Sequence, residues 1–339
     1  MEKILAGIDR TKNFIGKTVK EQNPNIILEF CKNKGKTIGV KDSKEIDNKL
    51  IKKLLRNGYI WNTVDFSSDR GRAIDIRLLN PITSKVMTGS SSGTAINVLY
   101  GLNTVGIGTD GGGSVLGPAI SLNLYSALLS GMGLKGKNKK KSTDEIVFTA
   151  GIGFITQNFV ELEKILKIFY EESEKKLKKL VLSDTLEKEI GDKLKNNYEI
   201  TIWKDRSLFS REELMIELNN IFQLGDVFIY VEKNIEVDGI GDSILGCLGD
   251  SGKTFQENSN KKFLKVFNML DCTAITIPLK NIGSSIVIVT PKGKDGLKYV
   301  LEIGKILDYE YRPKLFQEYF LNYPLKRIDN RTFEILEEM

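Results

Sequence analysis

Residues 108–114 read Gly-Thr-Asp-Gly-Gly-Gly-Ser. Successive glycines let several backbone N–H groups converge on one point without interference from Cβ atoms. A serine closing the run then has its hydroxyl beside those donors. Gly111, Gly112 and Gly113, followed by Ser114, therefore have the makings of an oxyanion hole with an adjoining nucleophile. A serine hydroxyl needs a base, and the sequence contains no histidine. That absence excludes a Ser-His-Asp triad, a Cys-His dyad and any histidine-ligated metal. Lysine is the main remaining base, because burial readily lowers its pKa.

Other readings of these glycines are weaker. Gly106, Gly108 and Gly111 satisfy a dinucleotide-binding GxGxxG spacing. That motif needs a helix straight after the glycines and an acidic residue about 20 positions later. Gly117-Pro118 follows instead, and no Asp or Glu occurs from 111 to 143. A purely architectural role, in which glycines let backbone elements approach closely, explains single glycines but not the clustering of Gly and Ser at two places. Gly249–Thr254 (GDSGKT) imitates a phosphate loop, but Cys247 stands where that pattern needs glycine.

The run GTDGGGS has a companion, TGSSSG, whose Ser90 lies 24 residues before Ser114. Together they resemble the amidase signature family. Asn80-Pro81, Gly133-Leu134-Lys135, TAITIPL and GKTIGVKD followed by DNKLIKKLLRNG extend the resemblance along most of the chain. It implies an α/β fold, a central mixed twisted sheet covered by helices on both faces, and a single domain over 1–339. It also implies a Ser–Ser–Lys triad: Lys41 as neutral-amine base, Ser90 as relay after a cis Gly89–Ser90 peptide, and Ser114 as nucleophile. Gly111, Gly112 and Gly113 would hold the oxyanion. Ser91 and Asp110 would fix Lys41 and the glycine loop by hydrogen bonds. Among the many lysines, Lys20 in GKTVKE competes with Lys41 for the role of base. Two positions depart from the family pattern. Leu116 replaces an arginine common two residues after the nucleophile, which makes the acyl pocket more apolar or moves the cationic contact elsewhere. Gly111 replaces a Thr or Ile. The chain is also shorter than typical members, and the loops are trimmed.

The elements that must position these residues follow from patterning. Ile26–Phe30 and Thr37–Val40 read as short strands, and Ile46, Leu50, Ile51, Leu54 and Leu55 recur at helical spacing before Gly58. Between Lys85 and Lys135 the only charged residue is Asp110, which predicts a buried centre. Strand-like segments over 146–156 precede a helix predicted from Val160 toward Leu182. Ser210–Glu213 is a capping box, and Val227–Val231 is a strand. Residues 238–260 read as loop, and Phe263, Val266, Phe267 and Leu270 as a helix. AITIPL and SIVIVT are strands, and Leu297–Leu307 is a helix. Strands alternating with helices argue for an α/β fold.

Composition bounds the function. Of 339 residues, 41% are hydrophobic and 28% charged, as in soluble globular proteins. The net charge of +6 has its densest basic run at Lys135–Lys141, without aromatics or arginine, so it reads as a solvated loop rather than a nucleic-acid surface. Cys31, Cys247 and Cys272 form no paired motif. No stretch is apolar enough for a signal peptide or membrane span, so a cytoplasmic location is expected. The expectation is an amidase that uses no cofactor or metal and acts on a small-molecule or peptide-like carboxamide. Homodimer formation is left open. The alternatives are a degenerate member that binds without catalysis and an ammonia-producing amidotransferase subunit.

Overall fold

The structure, a computed structural model, describes residues 1–142, 145–186, 188–206, 210–236, 249–257, 261–308 and 313–325. The chain opens with helix α1 (Glu2–Arg10), strand β1 (Val19–Gln22) and helix α2 (Ile26–Asn33). Strand β2 (Lys36–Lys41) crosses through α3 (Asn48–Arg56) to the parallel strand β3 (Tyr59–Asp65). A separate antiparallel pair, β4 (Ile74–Leu79) and β5 (Val86–Thr88), leads into α4 (Ser92–Leu99). Next come β6 (Val105–Asp110), α5 (Leu116–Ser121), β7 (Tyr125–Leu129), β8 (Lys135–Lys141), β9 (Val147–Thr156) and α6 (Phe159–Leu166). The rest comprises β10 (Lys179–Ser183), α7 (Lys188–Lys195), β11 (Glu199–Trp203), α8 (Arg211–Leu224), β12 (Val227–Glu232) and α9 (Gly249–Glu257). It ends with β13 (Thr273–Pro278), β14 (Ser285–Thr290) and α10 (Gly296–Leu307).

Twelve strands form one mixed sheet in the order β1-β3-β2-β6-β9-β7-β13-β14-β12-β10-β11, with β8 added to β9. Its central strands are apolar on both faces, as a sheet covered on both sides requires. Alternate residues separate into two cores. Val227, Ile229, Ile286 and Ile288 join Leu54 of α3, Leu162 of α6 and Val300 of α10. Phe228, Tyr230, Val287 and Val289 join Leu116 of α5 and Leu218 of α8. The expected α/β architecture, with helices on both faces of a mixed sheet, is therefore present.

Several local expectations are corrected. Ile26–Phe30 is helical, because Ile26 and Phe30, four residues apart, are the buried pair while Ile27 and Leu28 face solvent. The helix expected to run to Leu182 ends at Leu166. The polar stretch after Phe169 offers no apolar stripe, and Leu180 and Leu182 instead fill a buried parallel strand. Gly249–Glu257 is a helix, not a loop; residues 237–248 and 258–260 lie outside the described residues. Phe263 and Val266 to Leu270 form a 3-10 turn and further turns rather than a helix, with Phe263 packed edge-on to Trp203, Phe228 and Tyr230. The basic run Lys135–Lys141 is an exposed strand rather than a loop, and Lys137, Lys140 and Lys141 pair with Asp47, Glu45 and Glu145. Among the described residues no helix is long and apolar enough to cross a membrane.

Close approach explains three glycines of the centre. Gly106 lies under Thr94 and Val98 of α4, and Gly108 under Ser91 and Val115. Gly108 pairs across the sheet with Gly153, itself against Val115. A Cβ at Gly153 would lie 2.4 Å from the Ala127 carbonyl oxygen and 2.8 Å from Val115 Cγ1. Gly153→Ala is accordingly expected to lose roughly 1–3 kcal/mol by overpacking. Urea unfolding should show this as a lowered midpoint with an unchanged slope.

Candidate active site

Strands β2 and β6 are parallel neighbours, and their C-terminal ends place Lys41 beside Thr109 and Asp110. Such strand ends are where open α/β sheets bind ligands. Ile38 and Val40 point into the α3 and α6 core, so the alternation of β2 turns Lys41 to the opposite face, toward α4 and α5. There its ammonium nitrogen donates to Ser90 Oγ at 2.6 Å and to Thr109 Oγ1 at 2.8 Å. Burial pulls Lys41 down from the ordinary 10.5 to about 7, against the opposing pull of Asp110 and with a smaller downward push from Lys140.

The two serine segments meet at the start of α4. The Gly89–Ser90 peptide is cis, and the Ser90 carbonyl accepts from the Ser68 N–H at 3.1 Å. The Ser91 N–H donates to the Ser114 carbonyl at 3.2 Å, which ties the Ser90 segment to the Ser114 segment. Exposure rises along this line: Lys41 (4%) and Ser90 (5%) are buried, and Ser114 is partly exposed. A nucleophile that meets substrate and a base that must stay desolvated call for that gradient.

Asp110 holds the glycine loop. One carboxylate oxygen accepts from the Gly113 N–H at 2.6 Å, and the other from Val115 at 2.7 Å and Leu116 at 3.3 Å. Burial pushes its carboxyl above the ordinary range, and these N–H donors restrain the rise. Gly113 has φ +89°, a left-handed conformation that favours glycine. The Gly113 N–H is thus committed to Asp110. Among the described residues the N–H groups of Gly111 and Gly112 carry no protein acceptor. The space a side chain would take at Gly111 is filled by Phe148, 2.7 Å from an ideal Cβ.

Two further sequence expectations, at Ser91 and Leu116, meet a different outcome. Ser91 Oγ makes no hydrogen bond among the described residues; Thr109, which the sequence reading missed, contacts Lys41 instead. Its position in Gly-Thr-Asp, next to the residue that holds the loop, was the available signal. Lys20 is exposed and paired with Asp42 at 2.9 Å, which raises its pKa, so it lacks the environment of a neutral base. Leu116 is fully buried with Phe263, Leu264 and Phe267, so it is a core residue and not a lining of the acyl pocket.

The shift at Lys41 has a consequence for stability. A lysine whose folded pKa lies below its unfolded value stabilises the fold fully above about 10.5 and loses that contribution as pH falls through about 7. Over that span burial of the charge costs about 5 kcal/mol. Lys41→Met should therefore gain in melting temperature over the parent as pH falls from 10.5 toward 7 and hold that gain below it. Thermal denaturation at pH 10 and pH 6 measures the difference.

Comparison with known proteins bears on the fold and on the segment that carries the two serines. The family model "Amidase" matches residues 77–220, the segment that contains Ser90 and Ser114. No curated protein matches the chain in sequence. Among solved structures, an amidase superposes with a TM-score of 0.62 at 14% identity, over 91% of this chain and 95% of that one. A 6-aminohexanoate cyclic dimer hydrolase with bound substrate gives 0.61 at 13% identity, over 92% and 95%. One subunit of glutamyl-tRNA(Gln) amidotransferase from Thermotoga maritima gives 0.59 at 15% identity, over 89% of each chain. The matched segment encloses both serines, and the chain shares its fold with these amide-hydrolysing enzymes along about nine-tenths of its length.

Proposed function

We propose that the protein hydrolyses a carboxamide through an acyl-enzyme on Ser114, with Ser90 and Lys41 moving the proton. The observation that carries this reading is a buried amine, its pKa pulled down to about 7, that lies 2.6 Å from the Ser90 hydroxyl, while the next residue, Ser91, donates its N–H to the Ser114 carbonyl. Neutral Lys41 accepts a proton from Ser90, and Ser90 in turn accepts one from Ser114. Ser114 Oγ bonds to the amide carbon, and the carbonyl oxygen takes up the negative charge. The N–H groups of Gly111 and Gly112 are the donors for that oxyanion, while Gly113 keeps the loop in shape through Asp110. As the C–N bond breaks, the amine leaves with the proton returned through Ser90. Water then adds to the acyl carbon, gives its proton to Lys41 by the same route, and releases the carboxylic acid and Ser114.

The mechanism needs no metal or cofactor. The acyl and amine groups of the substrate are not fixed by these residues, and a carboxamide panel assigns them. A fluorophosphonate, which captures activated serines, should label wild type at Ser114 and fail to label Ser114→Ala. The labelling rate should rise with pH through about 7, as Lys41 loses its proton. Lys41→Ala should slow labelling by roughly 10²–10⁴-fold, the usual range for loss of a general base. A wild type that stays unlabelled between pH 7 and 9 sinks the catalytic reading and leaves a binding or scaffold role on the same fold.

A further inference from the structure

The segment between Lys85 and Lys135, which carries both serines, contains one charged residue, Asp110. A cation nonetheless enters its interior from far along the chain. Lys261 is 3% exposed, and its Nζ donates to Thr88 Oγ1 at 2.5 Å. Thr88 is the last residue of β5 and immediately precedes the cis Gly89–Ser90 peptide. On its other side Lys261 reaches α5. An ideal Cβ at Gly117, three residues after Ser114, would lie 3.3 Å from Lys261 Cε and 3.9 Å from Thr88 Cγ2. A side chain at 117 would crowd the lysine stem between the two segments.

The charge has a counterpart in Glu236, itself 1% exposed. Burial raises the Glu236 carboxyl to about 7, and Lys261 is the main influence pulling it back. Asn80 Nδ2 donates to Glu236 Oε2 at 3.3 Å and to the Ser121 carbonyl, at the end of α5, at 3.1 Å. One buried polar cluster therefore joins the strand leading to Ser90, the helix following Ser114, and two segments more than a hundred residues further on. Leu264 and Lys265, just after Lys261, also pack against Gly113 and Gly112.

We propose that Lys261 is a positioning residue for the catalytic serines: bonded to Thr88 and lying against Gly117, it clamps Thr88 against α5 and so fixes Ser90 relative to Ser114. The proposal rests on the Ser–Ser–Lys reading above. It differs from a merely structural ion pair in one respect. A structural pair can be replaced by neutral groups of similar size with no loss of chemistry, whereas breaking it by removing one partner is strongly destabilising.

The test compares fluorophosphonate labelling rates at Ser114 with melting temperatures in Lys261→Met and in Lys261→Met/Glu236→Gln. The single variant should lose both melting temperature and labelling rate. The neutral double variant should recover melting temperature while its labelling remains at least about tenfold below wild type, since small misplacements of reacting groups cost rates of that order or more. Thr88→Val and Thr88→Ser provide a second measurement without any change of charge. The valine variant should label at least about tenfold slower, and the serine variant, which keeps the hydroxyl, should label at close to the wild-type rate. Recovery of wild-type labelling in the double variant, or an undiminished rate in Thr88→Val, overturns the positioning role alone. A wild type that is not labelled at Ser114 overturns the Ser–Ser–Lys reading and this inference with it.

Discussion

A primary amine kept from water loses its proton more readily, and most of what surrounds Lys41 keeps water from it. Strand β2 carries it to the end of a buried parallel pair, and the hydroxyls of Ser90 and Thr109 receive its hydrogen bonds without adding charge. Asp110, one residue on from Thr109, is near enough to raise the lysine pKa but has its carboxylate committed to backbone N–H groups of the glycine loop. Were that carboxylate free to pair directly with the ammonium, the lysine would stay charged. One aspartate thus shapes the glycine loop and is kept from pairing directly with the Lys41 ammonium.

The same desolvation governs the packing. Helices α4 and α5 have to lie close on β6 and β9 for the amine to be covered, and Gly106, Gly108 and Gly153 make room for Thr94, Ser91 and Val115 there. The glycines of this region therefore do two kinds of work. Those in the strands are architectural, as the close-approach reading of the sequence allowed. Gly111 to Gly113 form the loop beside Ser114, with Phe148, Leu264 and Lys265 filling the space around them.

Position 116 shows how a local reading of sequence misjudges a site. Leucine two residues after Ser114 suggested either a more apolar acyl pocket or a cationic contact moved elsewhere, and the α5 turn sends this side chain into the core with Phe263 and Leu264. The cation near this part of the site is Lys261, which approaches over Gly117 from a segment with no local motif. Thr88 and Glu236 belong to the same group. Nothing at short range marks them, because their partners are separated by more than a hundred positions.

The sequence by itself determined what chemistry was available. Without histidine, a serine behind three glycines left lysine as the main candidate for a base, and the spacing of Ser90 and Ser114 gave the segment its family resemblance. It also determined the elements with strong local periodicity: the buried strands β12 to β14, the capped helix α8 and the amphipathic α3. Tertiary structure decided the rest, since those properties depend on what lies across space. Whether Lys41 or Lys20 is desolvated depends on which strand end is roofed by helices, and both sit in similar lysine-rich contexts. Whether Ile26–Phe30 is strand or helix, and where the α6 helix stops, depends on which side chains find a core to enter. The pKa of an amine, like the fate of an apolar side chain, is set by exclusion of water, and that exclusion exists only once distant segments have closed over it.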